Sequence, residues 1–173
     1  LAMSRRMNAQ LRAVAMATQG FANYIRKMYP NVEQPKIAIA YDCRNNSKEF
    51  ARTTAEVMSA NGFKVFLFNA LRPTPELSFA IRELQCQAGV VVTASHNPKE
   101  YNGYKAYWED GGQLVSPHDK NVIAEVEKIT DPSMVNFNAN ESLIEYLDEK
   151  FDEIYLNKIL GLSLSPELIK KQK

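Results

Sequence analysis

Met7, Leu11, Val14, Thr18, Phe21, Ile25 and Met28 recur in steps of four and three, one face of an amphipathic helix that Pro30 ends. "KIAIAY" (36–41) is a short apolar run and predicts a buried strand. Ser47 is placed to cap a second helix that turns Phe50, Thr54, Val57 and Met58 inward, and Asn61-Gly62 stops it. "KVFLF" (64–68) predicts a second strand. Thr74-Pro75 opens a helix with Leu77, Ile81 and Leu84 on one side, and "GVVVT" (89–93) predicts a third strand.

Two successive strand–helix–strand units of this length imply a largely parallel sheet covered on both faces. After the turn signal Asn102-Gly103, "YKAYW" alternates like a returning strand, which makes the sheet mixed. Ser116-Pro117-His118-Asp119 reads as a capped helix start running to about Thr130. A last helix is expected over roughly 141–160, apolar at Leu143, Leu147, Phe151, Ile154 and Tyr155, acidic at Glu141, Glu145, Asp148, Glu149 and Asp152. The fold class is therefore α/β, a three-layer domain with a mixed, mostly parallel sheet between helices. Residues 1–135 are expected to form that domain and 136–173 a helical connector.

Composition narrows the function classes. The 173 residues are 45% hydrophobic and 24% charged, and the formal net charge is +1, so bulk electrostatics makes no case for nucleic acid or an anionic membrane. No apolar stretch approaches the ~18 residues of a membrane span. Cys43 and Cys86 are too few and too far apart for a disulfide scaffold or zinc knuckle, and read as buried reduced thiols of a cytoplasmic protein. The chain starts at Leu1, not at a methionine, and stops in a helix start at Ser165-Pro166; both ends read as cut.

In open parallel sheets ligands bind beyond the carboxyl ends of the strands. Strand one exits into "DCRNNS" (42–47), strand two into "NALRPTP" (69–75) and strand three into "TASHNP" (93–98). The crevice thus collects Arg44, Arg72, Ser95, His96 and Asn97, and the Asn102-Gly103 turn returns Lys105 towards it. Cations, hydroxyls and helix amino termini at one rim describe a phosphate site. Singly each has a dull alternative: Arg44 paired with Asp42, Arg72 in solvent, Lys105 on the surface, His96 on a carbonyl. The surroundings of Ser95 are not the G-x-S-x-G elbow of a hydrolase, and there is no G-x-x-x-x-G-K or G-x-G-x-x-G nucleotide loop. Pro98 keeps Asn97 out of helical geometry, so the loop projects and can display a serine that carries a phosphoryl group.

"TASHNP" followed by "YNGYK", with "YDCRNNS", "RPTPELSFAI" and "CQAGVVV", resembles the active-site domain of the α-D-phosphohexomutases, the phosphoglucomutase and phosphomannomutase family, over about residues 8–130. The long "KEYNGYKAYW" form is most similar to the branch that includes phosphopentomutases. The resemblance implies that Ser95 is the phosphorylated serine, His96 lies near the transferred phosphate, and Lys105 is a general acid or base. Arg44, Thr93 and Asn97 are implied to bind substrate or phosphate, and Mg²⁺ to contact a phosphoserine oxygen. The family's D-G-D-x-D, G-E-x-S-G and R-x-S-G-T loops and its L-R-G segment do not occur here. The expected protein is the first domain of a phosphosugar mutase, inactive alone. Its partners are a phosphosugar and the remaining domains, with no nucleic acid or membrane. A non-catalytic phosphosugar-binding module of the same fold, or a phosphopentomutase-type parent, is the alternative; a serine hydrolase is a distant third.

Overall fold

A computed structural model describes residues 9–171. The chain runs through α1 (Ala9–Met28), β1 (Lys36–Tyr41), α2 (Ser47–Ala60), β2 (Lys64–Phe68), α3 (Thr74–Glu83), β3 (Ala88–Val92), β4 (Tyr104–Trp108) and α4 (His118–Glu127). Two short 3₁₀ turns, Pro132–Met134 and Glu141–Leu143, lead into β5 (Ile144–Leu147), α5 (Glu149–Leu160) and α6 (Pro166–Lys170). The five strands are ordered β4-β3-β1-β2-β5. β1 pairs in parallel with β2 and β3, β2 in parallel with β5, and β4 runs antiparallel on β3, from Val92 opposite Tyr104 to Ala88 opposite Trp108. This is the mixed, mostly parallel α/β sheet the sequence implies.

Strands buried on both faces need two cores, and two are present. Against one face, Phe21 and Ile25 of α1 and Phe50 and Met58 of α2 pack on Ile37, Ile39, Val65 and Val90. Against the other, Leu77 and Ile81 of α3 and Phe151 of α5 pack on Ala38, Ala40, Phe68 and Val91. Each fully buried large side chain contributes about 1.5–3 kcal/mol before entropy is charged. α4 lies outside this sandwich on α1, at so close an approach that a Cβ on Gly20 would sit 2.5 Å from Val126 Cα.

Several local expectations are corrected. Asn46, with a left-handed φ of 62°, precedes α2, and Ser47 is already helical, its hydroxyl donating to Asp42 instead of capping. α4 begins after Pro117 without a side-chain cap. Met7 falls outside the described residues. The helix expected over 141–160 is a turn, a strand and a shorter helix. Leu143, Leu147, Phe151 and Ile154 imitate helical spacing, but Ile144 and Leu147 bury the two ends of a four-residue edge strand while Glu145 and Tyr146 face solvent. Asp148 then caps α5, accepting from the Lys150 amide at 3.1 Å. Only one cysteine is buried: Cys43 is exposed on the loop after β1.

Candidate active-site loop

β1 feeds β2 on one side of itself while β3 returns on the other, so the strand order reverses at β1, with β1 and β3 as parallel neighbours. Their carboxyl ends therefore open side by side, the place where open α/β sheets form a crevice. The loop after β1 carries Asp42 and Arg44; the loop after β3, residues 93–103, carries Thr93, Ser95, His96 and Asn97.

Asp42 is the hub. Oδ1 accepts from the Arg44 amide at 3.1 Å and from Ser47 Oγ at 3.0 Å, while Oδ2 accepts from Arg44 Nε at 3.0 Å and Thr93 Oγ1 at 2.6 Å. All four acceptor positions of the carboxylate are filled. Burial pushes its pKa up, but the bonds from Thr93, the Arg44 amide and Ser47, with the Arg44 charge, prevail and hold it below its ordinary 3.8.

Arg44 extends from this hub into the Ser95 loop. Its Nη1 donates to the carbonyls of Asn97 (2.6 Å), Pro98 (2.8 Å) and Tyr101 (3.3 Å), and its Nη2 to the carbonyl of Ser95. The side chain is only 8% exposed. Asn102 ties the far end, donating to Asn45 O (3.1 Å) and Ser47 Oγ (2.9 Å), and the Lys99 carbonyl accepts from the Asn45 amide at 3.1 Å. Gly103 is required where the loop rejoins the sheet, because a Cβ there would lie 2.7 Å from Thr93 O.

Held in this frame, Ser95 adopts φ 59°, the left-handed region that costs a non-glycine residue roughly 1–2 kcal/mol. Its amide donates to Thr93 Oγ1 at 3.0 Å, and the Asn97 amide donates to Ala94 O at 3.2 Å. Ser95, His96 and Asn97 are exposed, and the Ser95 hydroxyl has no hydrogen-bond partner among the described residues. Lys105 is half-buried one pair in from the rim, opposite Val91, on the face of β4 shared with Tyr107 and turned away from Tyr104.

One rim expectation changes. Arg72 does not point into the crevice: its Nε and Nη2 grip the Asp152 carboxylate of α5 at 2.6 Å each. His118 lies at the opposite end of the sheet, stacked on Trp108 at 4.5 Å, with Tyr24 Oη 2.7 Å from its Nδ1, so the described histidines build no triad with Ser95. Asp42, Ser47 and Asn102 are the structural partners sequence reasoning left out of the site. Their signal was spacing: an aspartate two residues before an arginine and five before a serine suits a loop that folds back on its own donors.

What the geometry defines as a class, a sheet-rim loop domain of the α/β type, the comparisons make specific. The alpha/beta/alpha domain I of phosphoglucomutase/phosphomannomutase matches residues 3–133, and the chain belongs to that family. A phosphoglucomutase of Staphylococcus haemolyticus is 40% identical over 147 residues, 83% of this chain and 26% of the relative. The human phosphopentomutase is 39% identical over 125 residues, 69% of this chain and 20% of the relative. This chain thus spans about a quarter or less of these curated relatives. In structure, a phosphoglucomutase/phosphomannomutase family protein of Burkholderia thailandensis shares the fold with a TM-score of 0.64 at 21% identity, over 90% of this chain and 32% of that one.

Proposed function

We propose that this chain is the phosphoserine-bearing first domain of a phosphosugar mutase. Ser95 Oγ carries a phosphoryl group. A sugar-phosphate hydroxyl attacks the phosphorus and passes its proton to the Lys105 amine, while the P–Oγ bond breaks and the leaving Ser95 Oγ takes up a proton from water. The resulting sugar bisphosphate returns its other phosphoryl group to Ser95 by the reverse sequence, leaving the isomeric monophosphate.

One observation carries the reading. A serine hydroxyl with no hydrogen-bonded base among the described residues stands exposed at the switch-point crevice, on a loop whose backbone is fixed by an arginine side chain only 8% exposed. Such a serine is arranged to accept and give up a group rather than to be activated in place. His96 and Asn97 are free on the outer side of the loop to meet the transferred phosphate. Thr93 and Arg44 serve it indirectly: the threonine hydroxyl is spent on Asp42 and Ser95, and the guanidinium contributes its charge rather than an open fork.

Mg²⁺ fits as a counter-ion to a phosphate on the exposed Ser95, where it would neutralise transferring charge. Among the described residues no group of three or more His, Cys, Asp or Glu could hold it, and the contact this chain would offer is the phosphate oxygen on Ser95. Glucose, mannose and pentose phosphates are all candidate substrates. The remaining domains of a longer protein complete the site, and its compartment is the cytoplasm. Among the described residues no helix is long and apolar enough to cross a membrane.

The test is intact-mass analysis with peptide mapping of the longer protein carrying this chain, after exposure to glucose 1,6-bisphosphate and Mg²⁺. A phosphate-sized increment maps to Ser95, and Ser95→Ala abolishes both the increment and turnover of glucose 1-phosphate. Phosphate on another residue, sustained turnover by Ser95→Ala, or sustained turnover by the 173-residue chain alone would each refute the reading.

A further inference from the structure

The seam between α3 and α5 holds more charge than it can ionise. Glu76, in the first turn of α3, is 3% exposed, and its Oε1 is buried with no hydrogen-bond partner among the described residues. Its carboxyl lies within hydrogen-bond reach of Asp152 on α5. Both Asp152 oxygens are already taken by the fork of Arg72, at 2.6 Å each. Around this trio the packing is aromatic: Phe151 meets Phe68 and Phe79 with ring centroids 5.8 Å apart in both pairs, and Tyr155 meets Phe79 at 5.4 Å.

One guanidinium therefore faces two carboxyl groups, Glu76 buried and Asp152 with its side chain 24% exposed. With both ionised, an acceptor confronts an acceptor and one negative charge is left over. A proton on Glu76 cancels the charge and turns one acceptor into a donor. We propose that Glu76 and Asp152 share a proton across the α3–α5 seam, and that this proton latches α5 to the sheet.

The surrounding groups agree on the direction. Burial first, then the bond to Asp152 and its charge, raise the Glu76 carboxyl from 4.5 to about 7, and Arg72 pulls the other way without prevailing. Asp152 stays below its ordinary 3.8 because Arg72 and then Glu76 donate to it, against the effect of burial. From the remaining neighbours, Glu149 of α5 acts on Arg72, and the Tyr41 hydroxyl of β1 is turned to Asn69 O at 3.1 Å. The positive end of α3 also favours an ionised Glu76, but it is one weak partial charge against a full one.

The sign follows from linkage. Undocked, Glu76 is wetted and ordinary; docked, it binds its proton more tightly. Docking is strongest below pH 4.5, weakens by up to about tenfold per pH unit as Glu76 would otherwise ionise, and levels off above about pH 7. This device is independent of the phosphoryl chemistry, and its test uses this chain alone.

Amide hydrogen exchange across Phe151–Leu156, corrected for the intrinsic pH dependence, is compared at about pH 5.5 and pH 8. Protection of α5 falls by about tenfold or more at the higher pH while that of α2 holds. Glu76→Gln keeps a donor on Asp152 at every pH, so its α5 protection is flat. Equal wild-type protection at both pH values, or the same loss in Glu76→Gln, overturns the latch. Should the variant fail to fold, a ¹³C titration of the wild-type Glu76 carboxyl decides: a midpoint near 7 upholds it and one near 4.5 overturns it.

Discussion

Asp42→Asn is the most informative single change to the Ser95 loop. The amide keeps the shape of the carboxylate but not its charge, and one of its two ends becomes a donor. The Ser47 and Thr93 hydroxyls can rotate to adapt; the Arg44 amide and Nε can only donate, so one of them is stranded. A lost hydrogen bond to a charged group costs about 1.5–3 kcal/mol and a neutral one about 1. The Asp42 side chain is 28% exposed, so solvent recovers part of this, leaving about 2–3 kcal/mol. For a domain of this size that lowers Tm by about 5–10 °C. The loss exceeds the roughly 1–2 kcal/mol stored at the left-handed Ser95, so the loop also relaxes. Thermal unfolding measures the first effect, and the rate of tryptic cleavage after exposed Lys99 the second. Because the Asp42 pKa is depressed, its contribution is complete above 3.8 and drains away as pH falls through the lower folded value. The gap between wild type and variant should narrow in acid. A Tm within 2 °C of wild type at neutral pH, with unchanged cleavage at Lys99, would refute the hub.

Two further outcomes follow from the packing. A thiol reagent labels exposed Cys43 at neutral pH while Cys86, 2% exposed and pushed by burial to about 12, reacts only in denaturant; equal labelling of both in the native protein would contradict the fold at β3. Gly20→Ala places a methyl 2.5 Å from the Val126 backbone, where no rotamer can relieve it, and costs about 1–3 kcal/mol by denaturant unfolding; a neutral effect would show that α4 is not seated on α1 as described.

How much was legible beforehand divides along physical lines. The central strands are uninterrupted apolar runs because both faces are covered, and α1 shows its stripe because one side meets the sheet and the other water. The Ser95 loop was findable from its position after β3. β5 was not, because a four-residue edge strand buries only its ends and their spacing imitates a helix. Nor was the task of Arg44, since carbonyl acceptors leave no trace in side-chain identity. Arg72 was misplaced at the crevice because its partner, Asp152, is eighty residues away in the chain.

The grip of Arg44 has a consequence for how this loop can change. It holds the carbonyls of residues 95, 97, 98 and 101, groups that every amino acid possesses. Shape and chemistry are thereby written in separate alphabets. Substitutions at His96 or Asn97 can alter the side chains the loop displays while its curve is inherited intact, so a lineage could vary the chemistry of this rim without rebuilding the scaffold that presents it.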